Sequence, residues 1–259
     1  MMKSGRRSTK HPEKLTSKIA GTTYSRIFTN LFFPYRLHAD LEMKVLDFHD
    51  FGKEFIKSQK ISPDSFVQMG IALAFRRLHN VPAATYESAA TRIFSEGRTE
   101  VIRSCLPETV RFTQMMTIED SNLNNQMNAF KAALKAHNAY ARSAAQGQGV
   151  DRHLQGLKMA ALELGQPLPA IFSDPGYLRS SRMRLSTSQI SSRHSSFCCY
   201  GPLQTDGYGC SYSIGSNSLQ FSVSALNSDQ ETSAAKFACQ LQDSLLDLHD
   251  LCVSSKPKL

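Results

Sequence analysis

From about residue 40 the chain alternates between segments of helical and of strand periodicity. Ser62-Pro63-Asp64 sets a cap residue, a proline at the first helical position and an acid in the first turn. Phe66, Val67, Met69, Gly70, Leu73 and Ala74 then follow at helical spacing. Ala84–Phe94 reads as a strand, and two helices are predicted over Asn124–Ala144 and Val150–Leu164. After Asp174-Pro175-Gly176 the texture changes. Arg184–Ile190, Ser196–Tyr200, Gly209–Ile214 and Leu219–Leu226 read as short strands parted by Gly, Ser and Asn turns. A last amphipathic helix is expected to turn Ala235, Ala238, Leu241, Leu245, Leu248 and Leu251 inward. Strands at both ends of a helical middle predict an α/β fold, a layered sheet with flanking helices.

The 259 residues are 41% hydrophobic and 20% charged, an ordinary globular composition that excludes collagen-like, coiled-coil and wholly disordered chains. No run approaches the ~18 to 20 consecutive apolar residues of a membrane span, so no crossing of a bilayer is expected. The net charge of +8 suggests a polyanion partner until it is located. Residues 1–38 hold eight basic residues against one acid, Glu13, which leaves 22 basic and 21 acidic residues in the rest of the chain. The body is nearly neutral and lacks interleaved basic and aromatic residues, so no nucleic-acid partner is expected. The basic leader, residues 1–38, is rich in Ser and Thr and has the composition of a mitochondrial transit peptide; a chain start without an address reads the same way. The tail, residues 254–259, ends Pro257-Lys258-Leu259, one residue away from a peroxisomal Ser-Lys-Leu. Cys105, Cys198, Cys199, Cys210, Cys239 and Cys252 show no paired zinc spacing, which predicts reduced thiols in an intracellular protein and no metal.

Three features can carry chemistry. Lys53, Lys57 and Lys60 stand at i, i+4 and i+7; on a helix they share one face and can hold a phosphate, although a solvated face is the commoner use of such a row. In Leu185-Ser186-Thr187-Ser188-Gln189 the alternation points Ser186 and Ser188 the same way, where two hydroxyls can donate to an oxyanion. No Gly-x-Ser-x-Gly elbow surrounds them, which argues against a serine nucleophile. Gly149-Val150-Asp151-Arg152-His153 opens a helix with a guanidinium able to take a carboxylate bidentately.

Longer motifs join these features. Gly-Lys-x-Phe-x-Lys-Ser-x-Lys-x-Ser-Pro-Asp at 52–64, Thr85-Tyr-Glu-Ser-Ala with Glu96-Gly-Arg-Thr and Ile102-Arg-Ser, Asp151-Arg-His-Leu-x-Gly-Leu, Leu185-Ser-Thr-Ser-Gln and Tyr200-Gly-Pro with Asp206-Gly-Tyr-Gly stand in the order of the carnitine/choline acyltransferases. The resemblance covers residues 39–253 and leaves the leader outside. It implies the C-terminal portion of that family's chloramphenicol-acetyltransferase-like fold. The activity implied is acyl transfer between coenzyme A, a substrate rather than a permanent cofactor, and the hydroxyl of carnitine or choline.

By position, the resemblance makes Lys53 and Lys57 the holders of the coenzyme 3′-phosphate. Asp64 falls at the adenosine end, and Ser88 and Gln189 are further coenzyme contacts. A coenzyme-binding arginine of the carnitine acetyltransferases falls on Asn138, which implies weaker binding. Tyr86, Thr99 and Arg152 match the residues around the carnitine carboxylate. Choline has no carboxylate, and the choline enzymes lack the charge at Arg152, so carnitine is the expected acceptor. The stretch Phe197-Cys-Cys-Tyr-Gly-Pro202 is more like the choline enzymes, with Tyr200 placed by the trimethylammonium. Cys198 matches the residue that sets acyl-pocket depth; its intermediate volume implies short acyl chains. Ser188 is the implied oxyanion donor and Ser186 an acceptor contact. The family's general base, a histidine in His-x-x-x-Asp-Gly, has no counterpart among the eight histidines. Because such a base contributes 10²–10⁴-fold, the resemblance implies either a chain that works with a missing N-terminal half or a truncated coenzyme A-binding paralogue.

Overall fold

The computed structural model describes residues 39–118, 121–190 and 198–254. The described residues from Glu42 onward belong to one compact unit. The leader, the tail beyond Ser254 and residues 191–197, on which the targeting expectations and part of one predicted strand rest, lie outside the described residues.

The elements run β1 (Leu41–Phe48), α1 (Lys53–Ser58), α2 (Pro63–His79), β2 (Thr85–Ala90), β3 (Thr99–Arg103), α3 (Pro107–Met115), α4 (Leu123–Ala145), α5 (Asp151–Glu163), a 3-10 turn at Ala170–Ser173, α6 (Pro175–Ser181), β4 (Leu185–Gln189), β5 (Tyr208–Ile214), β6 (Leu219–Leu226) and α7 (Ala234–Ser254). One six-stranded sheet has the order β1-β6-β5-β4-β2-β3. β4 lies parallel to both β2 and β5, whereas the β2–β3 and β5–β6 pairs are antiparallel. The α/β architecture of a sheet with flanking helices is as the periodicity predicts.

Helix starts follow from local chemistry. The Ser62 hydroxyl accepts from the Ser65 amide at 3.4 Å and Pro63 takes a position whose missing N–H costs nothing. Asn122 caps α4 through the Asn124 amide at 2.7 Å. At α7 the cap is tertiary: the Glu42 carboxylate of β1 accepts from the Ala234 and Ala235 amides at 2.7 and 3.0 Å, placing an anion at the helix N-terminus. Ala234, rather than the expected Ala235, is buried with Phe237, Ala238, Leu241, Leu245, Leu248 and Leu251.

α2, α4 and α7 supply residues to the main apolar core, which meets one sheet face at Leu185, Tyr208, Cys210, Tyr212, Phe221 and Val223. By contrast, α5 buries no residue and exposes Leu157, Met159 and Leu162. The predicted strand Ala84–Phe94 ends at Ala90. Residues 198–200, expected to continue a strand, instead cross above the sheet. Tyr200 there hydrogen-bonds the carbonyls of Ser186 and Cys210 at 3.0 and 3.1 Å.

Candidate active site

Strand alternation divides the site between two sheet faces. The face away from the core carries Tyr86 and Ser88 of β2, Thr99 of β3, Ser186 and Ser188 of β4, Ser211 of β5 and Ser222 and Ser224 of β6, a surface of hydroxyls with few aliphatic side chains. Register places Tyr86 opposite Ser186, and the Ser88 and Ser188 hydroxyl oxygens stand 3.5 Å apart. The 198–202 segment lies on this face. The Ser211 hydroxyl donates to the Cys198 carbonyl and the Ser224 hydroxyl to the Tyr200 carbonyl. Only glycine fits beneath it at position 209. A Cβ there would stand 2.5 Å from the Tyr200 carbonyl oxygen and 3.2 Å from its ring. Burial raises the Tyr200 phenol well above its usual range, so it stays a neutral donor.

At the sheet edge the Arg152 guanidinium donates to the Thr99 carbonyl at 3.0 Å and to its hydroxyl at 3.3 Å, remains exposed, and makes no ion pair among the described residues. Its helix is pinned by its neighbour. Asp151 takes both Arg103 Nε and Nη2, at 2.9 and 2.8 Å, which frees Arg152 to face outward. The Asp151 hydrogen bond and charge outweigh burial and raise the Arg103 pKa.

The opposite face holds a buried polar chain. Gln68 of α2 donates to Thr187 at 3.0 Å and to the Tyr212 hydroxyl at 2.9 Å; Thr187 donates to the Tyr86 carbonyl and Tyr212 to Asp64 at 2.6 Å. Beside it, His137 Nε2 meets Glu87 at 2.7 Å and His137 Nδ1 meets Ser65 Oγ at 2.8 Å. The Ser65 hydroxyl donates to the Asn138 side-chain oxygen Oδ1 at 3.0 Å, so it is placed to accept from Nδ1; Glu87 also accepts from Ser104. Both ring nitrogens are thus placed to donate, the hydrogen-bonding pattern of a protonated ring. Burial alone would lower the His137 pKa, but the Glu87 hydrogen bond and the charges of Glu87 and Asp64 raise it. Asp64 is pushed up to about 6 by burial and then by the Glu87 charge. Asp64, Glu87 and His137 each offer a ligand atom within 4.8 Å of the others; Glu87 bonds His137 directly and Asp64 accepts from the Tyr212 hydroxyl.

Two adjoining hollows of about 470 and 560 Å³ open between the α1–α2 turn and α4, sharing Ser62 and Asn138 in their walls. Asp64 lines the second. Lys53 and Lys57 lie on α1 but line neither hollow, whereas Lys60 does. Gln189 ends β4 in solvent. The structure thus brings together Ser88 with Ser188, Thr99 with Arg152, and Tyr200 and Cys198 with the serine face. The Glu87–His137 pair was not anticipated. The available signal was that Phe130, Ala133, Leu134 and His137 share one helical face, which aims His137 at the core.

A model described as Choline/Carnitine o-acyltransferase matches residues 2–243, a span that takes in most of the leader set apart above. Carnitine O-acetyltransferase of Columba livia is 41% identical over 219 residues, covering 85% of this chain and 35% of that protein. Choline O-acetyltransferase of Homo sapiens is 41% identical over 219 residues, covering 84% and 29%. Carnitine O-acetyltransferase of Homo sapiens is 40% identical over 215 residues, covering 83% and 34%. The chain spans about a third of the length of these relatives. Among solved structures, a wax ester synthase/diacylglycerol acyltransferase from Marinobacter aquaeolei VT8 aligns over 82% of this chain and 49% of its own, with a TM-score of 0.44 at 9% identity.

Proposed function

The chain belongs to the choline/carnitine O-acyltransferase family, and from that premise we propose that it supplies the coenzyme A- and acceptor-binding part of a short-chain acyl transfer to carnitine. The observation that carries carnitine over choline is Arg152, an exposed guanidinium held toward Thr99 with no carboxylate of this chain paired to it among the described residues. A zwitterionic acceptor brings that carboxylate, and choline does not. Tyr86 and Thr99 share the sheet face from which it would be met, and Tyr200 lies along the same face for the trimethylammonium group.

In this reading the carnitine hydroxyl attacks the thioester carbonyl. Ser188 donates to the oxyanion that forms, Ser186 holds the acceptor, and Cys198 bounds the acyl group beside them. Ser88 and Gln189 contact the coenzyme, Asp64 its adenosine end, and Lys53 and Lys57 its 3′-phosphate. The proton goes to a histidine from outside the chain. His137 is committed to Glu87 and Ser65 on the far face of the sheet, and His153 lies on exposed α5. That outside part would also cover the serine face and the exposed leucines of α5. A mitochondrial or peroxisomal setting belongs to this reading through the leader and tail.

A second reading, a coenzyme A-binding protein without turnover, has the same commitment of His137 in its favour. Calorimetry with coenzyme A, carnitine and choline, with acetyl transfer assayed on the same 259-residue chain, separates the two. Arg152→Asn should weaken carnitine about tenfold or more while leaving coenzyme A unchanged. An equal loss for both ligands would overturn the carboxylate assignment.

A further inference from the structure

Lys131, Lys135, Asn138 and Arg142 stand at i, i+4, i+7 and i+11 on α4, and all four line the two hollows. Lys60, in a left-handed backbone conformation with φ 61°, stands in the wall opposite Lys131. None of the four cations makes an ion pair among the described residues. Among the described residues the only acid in the walls is Asp64, and its carboxylate is already tied to the Tyr212 hydroxyl. Like charges one turn apart destabilise a helix, so a row of them along a concave wall is suited to an anion that comes from outside. Asn138, at the centre of the row, spends its side-chain oxygen Oδ1 on Ser65, takes Arg142 Nε on its backbone carbonyl at 3.3 Å and adds no charge. Any charge offered to a ligand here comes from its neighbours.

We propose that Lys131, Lys135 and Arg142, with Lys60 across the cleft, form a second cationic wall that grips the diphosphate of the coenzyme substrate. This rests on the acyl-CoA reading above. It differs from the role given to Lys53 and Lys57, which line neither hollow and would meet the 3′-phosphate. Lys135 and Arg142 lie about 10 Å apart along the helix axis, about one turn on either side of Asn138, and their long side chains converge on a diphosphate between them. The wall takes over the charge that Asn138 lacks.

The test is calorimetry on the 259-residue chain with three probes: coenzyme A, 3′-dephospho-coenzyme A, and pantetheine, which has no phosphate. Lys135→Ala with Arg142→Ala should raise the Kd of the first two about tenfold or more and leave pantetheine unchanged. Lys53→Ala with Lys57→Ala should weaken coenzyme A alone. The substituted side chains of α4 are exposed, so the fold should survive and circular dichroism should be unchanged. Unchanged coenzyme A binding in the α4 variant would overturn this wall and leave the functional reading standing. Equal weakening of pantetheine would overturn the phosphate assignment. No coenzyme A binding by the unmodified chain would overturn both.

Discussion

The two faces of the central sheet are written in the same two-residue alternation, yet they are used in opposite ways. On one, Leu185, Thr187, Tyr208, Cys210 and Tyr212 meet α2, α4 and α7, and the polar groups drawn in there are bound to one another, Thr187 to Gln68, Tyr212 to Asp64 and Glu87 to His137, with Gln68 Oε1 left unpartnered. On the other, many of the intervening positions are serines, and the hydroxyls of Ser88 and Ser188 reach one another while those of Ser211 and Ser224 reach a crossing loop. A buried ion pair is costly unless fully hydrogen-bonded, and on the helix side it is so bound. Groups on the helix side are committed to structure and cannot also move protons for a reaction. Groups on the serine side are positioned by the first set but keep hydrogen-bonding capacity for a ligand. The Thr187 hydroxyl makes the link: it donates to the backbone of Tyr86, whose side chain points to the opposite face.

Substitutions can break this contrast or sharpen it. The largest effect is expected from Glu87→Ala, which leaves the His137 cation buried without its partner. Denaturation should show a loss of about 3–5 kcal/mol; a loss below about 1 kcal/mol would mean the pair does not organise the helix side. Next comes Gly209→Ala. This change lies under the loop on the serine side, where a Cβ meets the Tyr200 backbone, and a loss of about 1–3 kcal/mol in the same measurement is expected. A neutral result would show that the 198–202 segment moves aside freely and does not shape the site.

The smallest effect is the dependence of stability on pH. His137 has a raised pKa in the folded chain, so its contribution is fully present below its ordinary 6.5 and is lost as pH rises through the raised value. Asp64, raised from 3.8 to about 6, has the same sign, and its contribution is lost between those two values. The urea midpoint should fall as pH rises above 6.5, and the fall should flatten in His137→Gln. A midpoint that rises over that range would contradict the assignment of His137 as an imidazolium.

Much of the scaffold is legible in local pattern. Ser62-Pro63-Asp64 starts α2 for reasons contained in three residues, and β4, β5 and β6 fall close to their predicted spans. β1, β3 and α3 are not evident from periodicity, and Tyr200, with a strand-like neighbourhood, leaves the sheet because the Ser186 and Cys210 carbonyls capture its hydroxyl. Within the candidate site, alternation alone puts Ser186 and Ser188 on one face. That Ser88 lies 3.5 Å from Ser188 depends on parallel register between strands far apart in the chain. His137 shows only as a polar residue on an apolar helix face; its partner Glu87 is 50 positions away.

By itself the sequence determined the starts of several helices and the spans of β4, β5 and β6, which side chains within them share a face, and, through motif residues in a fixed order, the family to which the chain belongs. Those are consequences of residue identity and short-range geometry. The tertiary structure alone decided which faces meet. It turned Glu87 and His137 into a buried pair, set Arg152 against Thr99 with its charge unspent, and lined a cleft with Lys60 and the cations of α4. Such pairings depend on strand order, register and the docking of helices, and contacts between distant segments leave no periodic trace in the chain that makes them.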